Sequence, residues 1–380
     1  MLRKLIMPAI VVVMLAVVAG VAVAPAATDE GPRNIIVIGW DGCQRNHLHE
    51  LLTANQLPNL AALAKDGALV DIDVTSGATD TKAGWAQILT GCRPEVTGVY
   101  SDKRYQAIPE GFTVFERLKA ALGGDIITMA IVGGGENTGA DAPMKIPYDQ
   151  WYAAQTQRIL KKAKTITLPK PKNGEQIIVE NGQKFIFVPA KPWYNAAQHM
   201  DLWINGLGSN ARVGQTALEE IGLVRDKRFF AFLHFDMPEA AGHKYGENSQ
   251  EYSDAIKSDD EWLGKIVARL RELNLYDKTL VYVTSDHGFD EGLKTHGYAP
   301  YVFLGTNDAK VTRNGIRSDL APTILKRFGV DPTQIVPPMD GIAMDMAAPD
   351  RKAPPAPAGK AKAKHGKHGK AGAMPPPPQL

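Results

Sequence analysis

Cysteine is nearly absent: the 380 residues contain two, Cys43 and Cys92. That excludes a disulfide-stapled scaffold and a zinc module built on cysteines. An exported chain could still pair these two, a question that spacing leaves open. Strong net charge is also lacking. The formal charge is +2, but neither residues 1–26 nor residues 351–380 contain an acidic side chain, so residues 27–350 hold 34 basic against 41 acidic groups. An acidic body excludes a nucleic-acid groove as the expected partner surface. No internal repeat is evident, and 44% hydrophobic with 22% charged residues fits a packed core rather than a disordered chain. The length allows two domains or one large α/β domain with insertions.

Beyond residue 26 there is no apolar run long enough for a membrane span. Within the first 26, Arg3 and Lys4 precede the apolar run Leu5–Ala24, which ends in small residues around Ala24-Pro25-Ala26. This is the pattern of a signal peptide cleaved after Ala24 or Ala26, with a retained anchor as the alternative. No cysteine lies in or just after the run, which excludes a lipid-modified cysteine there. The mature protein is expected to be soluble, in the periplasm or secreted. Residues 351–380, rich in Pro, Ala and Lys, are expected to form a disordered basic tail.

Between these ends apolar runs alternate with helical patterns. Strands are expected at Asn34–Trp40, Ala68–Thr75, Ile126–Val132, Phe229–Phe235, Thr279–Thr284 and Pro300–Leu304. Helices are expected through Leu51–Lys65, Lys82–Thr90, Phe112–Leu122, Glu251–Leu273 and Ser318–Phe328. The alternation predicts an α/β fold with a mostly parallel central sheet and helices on both faces. Residues 140–210 break the rhythm with Lys- and Pro-rich stretches, a hairpin turning at Asn181-Gly182, and Trp151, Trp193, Tyr194 and Trp203. They read as a cap insertion over the strand ends, or as a second module.

In an open α/β sheet, ligands bind beyond the carboxyl ends of the strands. Polar residues just after apolar runs therefore carry the most information. Asp41 follows the first run; Asp236 follows FFAFLHF, with Glu239 and His243 close behind; Asp286 and His287 follow LVYVTS; His296 precedes another strand. Several carboxylates and three histidines at equivalent strand ends suit divalent metals that take mixed oxygen and nitrogen ligands. Thr81 stands at the start of the Lys82–Thr90 helix, where backbone N–H groups and the positive helix end attract an anion. Metal coordination would make its hydroxyl a usable nucleophile, whereas spacing alone favours Thr81 or Thr79 as a plain helix cap.

The segments VIGWDG (37–42), TDTKAGWAQILTGCRPEVTGVY (79–100), PEAAGHKYG (238–246), VTSDHGF (283–289), THGYAP (295–300) and SDLAPTIL (318–325) together resemble the alkaline phosphatase superfamily. The nearest resemblance is to its type I phosphodiesterase/nucleotide pyrophosphatase branch, over about residues 34–341. It implies a three-layer sandwich in residues 27–350 and two metals, usually zinc, around a nucleophilic Thr81. One metal would take Asp41, Thr81, Asp286 and His287; the other would take His243, His296 and a carboxylate. The family places an Asp four residues before the His, where this chain has Glu239, with Asp236 as the alternative. After its nucleophile the branch has Phe-Pro-Asn, and this chain has Lys82-Ala83-Gly84, so only Lys82 could replace the contact of that Asn with the phosphoryl oxygens. Ala83 and Trp85 occupy the places where sulfatases need Pro and Arg, which disfavours sulfate esters.

The resemblance implies hydrolysis of a small-molecule phosphodiester or pyrophosphate through a phospho-threonine. The alternatives are a phosphomonoesterase, phosphonate-ester or sulfate-ester hydrolase of the same superfamily, or a non-catalytic anion-binding protein. Tyr245, Trp151 and Tyr194 are candidates to stack on a base or aglycone. Oligomeric state is left open.

Overall fold

The computed structural model describes residues 33–162, 169–171 and 174–348; the expected signal peptide and basic tail lie outside them. Its strands are β1 (Asn34–Trp40), β2 (Ala68–Asp73), β3 (Ile127–Val132), β4 (Met144–Pro147), β5 (Gln176–Glu180), β6 (Gln183–Val188), β7 (Leu202–Ile204), β8 (Phe229–Phe235), β9 (Thr279–Thr284), β10 (Tyr301–Thr306) and β11 (Gly315–Ile316). Eight of them form one sheet in the order β11-β2-β10-β9-β1-β8-β3-β7. All pairings are parallel except those of β10, which runs antiparallel to both β9 and β2.

Every residue of NIIVIGW and of FFAFLHF is buried, because helices cover both faces of these central strands. Alternation divides the core in two. Ile35 and Val37 pack with Trp85, Leu118 and Ile324 on one face, while Ile36 and Ile38 pack with Leu60, Ile221 and Leu263 on the other. Each such side chain, fully withdrawn from water, contributes roughly 1.5–3 kcal/mol. The first face carries the helices Thr81–Thr90, Val114–Leu122 and Leu320–Arg327. The second carries Pro58–Asp66, Asn210–Leu223 and Gln250–Glu272. The result is a three-layer α/β sandwich.

Two local expectations are corrected. The helix read through Leu51–Lys65 is two helices, Arg45–Thr53 and Pro58–Asp66. Asn55 takes a positive φ of 56° between them, and Pro58 opens the second, where its missing N–H costs nothing. Within residues 140–210, β4, β6 and β5 form a separate antiparallel sheet, with the β5–β6 hairpin turning at Asn181-Gly182 (φ 49° and 77°). The interval is not all insertion, since β7 pairs with β3 at the edge of the main sheet. Trp151 and Trp193 are buried, and Trp193 belongs to the main core. Both cysteines are free and buried, so they do not pair.

Register brings the site together. Trp40 stands opposite Phe235 and Gly39 opposite Thr284, so Asp41, Asp236 and Asp286 emerge at the same sheet edge. The reversed β10 starts where its neighbours end, which delivers His296 to that edge from the loop before the strand.

Candidate active site

Asp80 caps the helix Thr81–Thr90, its side chain accepting from Ala83 N–H. With Asp80 in that role, Thr81 is the first helical residue, and its hydroxyl points to Asp41 Oδ1 at 3.5 Å. The expected ring of open backbone donors is partly closed. Lys82 N–H donates to Asp102 at 2.9 Å, and Ala83 N–H goes to the cap. Gly84 lets this helix approach the Asp286 turn; a Cβ there would meet Asp286 Cβ at 2.5 Å and its carbonyl oxygen at 2.8 Å. Lys82 is buried, its ammonium 2.5 Å from Asn137 Oδ1 and 3.8 Å from Asp102, over the Tyr105 ring. Burial pushes its pKa down despite the Asp102 carboxylate.

The expected ligands fall into two groups that share His287. Asp41, Asp286 and His287 form one; Glu239, His287 and His296 form the other, and in each the ligand atoms lie within 4.8 Å of one another. His243 joins the second, its Nε2 being 2.8 Å from Glu239 Oε1 and 3.3 Å from His296 Nε2. Asp236 belongs to neither group. It stands at the start of the helix Met237–Tyr245, with its carboxylate against Gly133.

The tautomers carry chemical information. His243, His287 and His296 each pair Nδ1 with a backbone carbonyl, of Lys294, Gly288 and Thr79 respectively. A carbonyl only accepts, so Nδ1 holds the proton and Nε2 presents a lone pair. The three Nε2 atoms then face one another and carboxylate oxygens. His287 Nε2 is 3.5 Å from Asp286 Oδ2, 3.6 Å from Asp41 Oδ1 and 4.0 Å from Glu239 Oε2. Glu239 Oε2, Asp286 Oδ2 and His287 Nε2 are buried without a hydrogen-bond partner. Converging acceptors with no donor among them are the environment that a divalent cation, or protons, must neutralise. The residues present therefore fit a metal pair.

Without metal, protons take that role. Burial and the carboxylates of Asp41 and Glu239 push Asp286 well above the usual carboxylate range. Burial also works to raise Glu239, but the imidazoles of His287, His243 and His296 hold it well below that range. Burial works to lower His296, but Glu239 outweighs it and His296 is pushed up to about 9. His243 is raised chiefly by its bond to Glu239.

Sequence reasoning missed two further residues. His234, buried in β8, sits with Nε2 at 2.7 Å from Asp41 Oδ2; its signal is a polar residue on an otherwise apolar strand. Arg317 is fully buried and donates to the carbonyls of Ser76, Ala78 and Asp286, tying the loop before Thr81 to the Asp286 turn. A lone Arg ahead of SDLAPTIL offers no signal of that role. A cleft of about 390 Å³ opens beside the centre, between the loop Gly77–Asp80 and His243, Thr295, His296 and Gly297.

The family profile described as type I phosphodiesterase / nucleotide pyrophosphatase matches residues 35–334. Among curated proteins the chain is similar to a bis(5'-adenosyl)-triphosphatase, ENPP4, of Pongo abelii, at 22% identity over 272 residues, which are 68% of this chain and 48% of that one. The human ENPP4 is 41% identical over a shorter stretch of 63 residues, 16% of this chain and 14% of that one. The chain thus spans about half the length of the first of these relatives. Among solved structures, murine ectonucleotide pyrophosphatase/phosphodiesterase 5, an inactive variant in complex with AMP, superposes with a TM-score of 0.51 at 13% identity. That superposition covers 81% of this chain and 97% of the murine one. A structure in complex with its substrate D-glucosamine-2-N,6-O-disulfate gives a TM-score of 0.51 at 13% identity, over 83% of this chain and 79% of that one. These likenesses share the three-layer α/β fold, and the profile match places the chain in the type I phosphodiesterase / nucleotide pyrophosphatase family.

Proposed function

We propose that the protein is an exported, two-metal hydrolase of phosphodiesters or pyrophosphates that works through a phospho-threonine at Thr81. The observation that carries this reading is the convergence of three imidazole lone pairs and orphaned carboxylate oxygens beside a threonine hydroxyl at a helix start. One group, Asp41, Thr81, Asp286 and His287, would hold the first metal; Glu239, His243 and His296 would hold the second. Such a donor mix suits zinc, and bound metals would supply Lewis-acid stabilisation of charge on the phosphoryl oxygens.

The chain's own residues do the rest. Asp41 Oδ1 accepts from the Thr81 hydroxyl, and His234 fixes Asp41 from the other side. Attack forms the bond from Thr81 Oγ to phosphorus while the bond from phosphorus to the leaving oxygen breaks, with the two oxygens in line. The Thr81 proton is released and the leaving oxygen is protonated from solvent. A water then attacks phosphorus and returns Thr81 as its hydroxyl, so one water is consumed per ester cleaved. Lys82, committed to Asn137 and Asp102, is not free to serve the extra charge of a monoester, which favours the diester reading. Mass spectrometry of acid-quenched turnover mixtures tests the mechanism. A Thr81 peptide carrying the phosphoryl group with the ester substituent that was not cleaved, a nucleotidyl group for a nucleotide substrate, is expected; active enzyme that never yields one would refute the covalent route.

A further inference from the structure

Three side chains outside both ligand groups are linked in series, separated from His296 by the rings of Tyr252 and Phe289. His47, on the helix Arg45–Thr53, has Nδ1 at 2.9 Å from Glu247 Oε1 and Nε2 at 2.8 Å from Ser253 Oγ. His47 and Glu247 are buried, and Ser253 is half-buried. The second oxygen of Glu247 accepts from Gly292 N–H at 2.8 Å, which fixes the carboxylate. An ionised carboxylate only accepts, so His47 Nδ1 holds the proton and Nε2 presents its lone pair to the Ser253 hydroxyl. A serine inside a helix ordinarily spends its hydroxyl on the carbonyl four residues back. Here that carbonyl, of Ser249, is 3.3 Å away and the imidazole nitrogen is nearer, so the proton is directed to His47.

Hydroxyl, imidazole and carboxylate in that order make a serine nucleophilic. The imidazole takes the proton as the oxygen attacks, and the carboxylate holds the ring and stabilises the imidazolium. The helix supplies a second element. Ser253 is the fourth residue of the helix Gln250–Glu272, and side chains lean toward the start of a helix. Ser249 Oγ accepts the Tyr252 N–H, whereas nothing among the described residues accepts the N–H of Gln250 or Glu251. Two open donors at a positive helix end, one turn from Ser253, suit the oxyanion that forms when a hydroxyl attacks a carbonyl. We infer that Ser253, His47 and Glu247 form a second nucleophilic centre, separate from the metal ligands, that takes the acyl group of small carboxylic esters. Ser253 Oγ bonds to the carbonyl carbon as its proton passes to His47 Nε2. The bond from that carbon to the alcohol oxygen breaks, and the alcohol leaves with the proton. Water then attacks the acyl-serine and releases the carboxylic acid, so one water is consumed and the hydroxyl of Ser253 is restored.

The test uses the metal-loaded full chain carrying Thr81→Ala, so that the hydroxyl of the first centre is absent, and a small alkyl fluorophosphonate as probe. Attack by Ser253 expels fluoride and leaves a stable phosphonyl-serine. Mass spectrometry of the tryptic peptide 245–257 should place the label on Ser253 and not on Ser249, whose hydroxyl caps the helix. His47→Gln should slow labelling by about a hundredfold or more, the usual contribution of a positioned base. Glu247→Gln keeps the shape but no longer holds the same tautomer, and should slow it by about tenfold or more. In the same background Ser253→Ala, which removes one oxygen, should abolish most of the turnover of p-nitrophenyl acetate. Should His47→Gln fail to fold in a thermal melt, Glu247→Gln carries the same comparison. Ser253 left unlabelled, labelling that neither variant slows, or p-nitrophenyl acetate turnover untouched by Ser253→Ala would each overturn the assignment and leave the three residues as a tie between helices.

Discussion

His234 Nε2 lies 2.7 Å from Asp41 Oδ2, with both side chains buried, while the other oxygen of Asp41 faces Thr81. The histidine meets the centre through Asp41, so its effect on chemistry passes through that carboxylate. His234→Leu should weaken metal retention by roughly 10- to 100-fold, the usual cost of losing a partner behind a ligand. His234→Gln, which can still donate, should recover part of it. Metal affinity by competition with a chelator reads this directly; equal loss in both variants would show that His234 only fills space.

Thr81→Ala should lower kcat by several orders of magnitude, well beyond any helix-start effect of roughly 1 kcal/mol. Thr81→Ser keeps the oxygen and should retain measurable activity. Thr79→Ala loses its bond to the His296 carbonyl but leaves the nucleophile, and should stay active. If Thr81→Ala hydrolyses every ester at the wild-type rate, Thr81 is not the nucleophile.

The proposed second metal site gives a ranking. Removing His243, His296 or Glu239 should each lower bound metal toward one equivalent with the fold retained, since the apolar sheet core does not depend on them. Asp236→Ala should cost less, because its carboxylate lies against Gly133 and outside both ligand groups. Elemental analysis giving the opposite order would reassign the carboxylate.

Acid–base linkage has a definite sign here. His296 rises from an ordinary value of 6.5 to about 9 in the metal-free fold, so its stabilising contribution is complete below 6.5 and is lost as pH climbs through about 9. Glu239 is lowered, so its contribution is present above its ordinary 4.5 and is lost only as pH falls further. Metal-free protein should therefore lose thermal stability between pH 7 and 9.5, while metal-loaded protein should lose much less. Metal uptake at pH 7.5 should release protons, measurable by calorimetry in buffers of different ionisation enthalpy. Uptake without proton release would remove His296 from the ligand set.

Gly84→Ala should destabilise by about 1–3 kcal/mol, since its methyl group would collide with the backbone and Cβ of Asp286. Thermal melts with and without metal would show it, and an unchanged melting temperature would mean that the helix can retreat.

Much of this arrangement was legible before any coordinates. Asp41, Asp286 and His287 could be read because they follow runs that are buried at all but one position, and His296 because it precedes another strand. What escaped is what depends on neighbours distant in sequence. His234 looks like a packed histidine until β8 is laid beside β1. Thr79, Asp80 and Thr81 are equally plausible caps by residue type, and only the path of the loop against residues 100–102 gives the cap to Asp80. The break at Asn55 was missed because apolar spacing continues across it. Arg317 reaches three carbonyls from segments far from it along the chain, a relation that no local pattern encodes.

Thr79 and His296 are joined twice: the threonine hydroxyl donates to the histidine's carbonyl, and the imidazole Nδ1 donates to the threonine's carbonyl. These two bonds button one wall of the cleft to the other, and one of them also orients a ring of the proposed second metal site. A variant selected to admit a bulkier ligand by spreading these walls would have to undo the bonds that aim His296. Widening the entrance and keeping the proposed second metal site are therefore opposed demands on the same atoms. Room for a larger ligand is easier to gain by changing residues on the rim, such as Gly297, than by loosening the loops themselves.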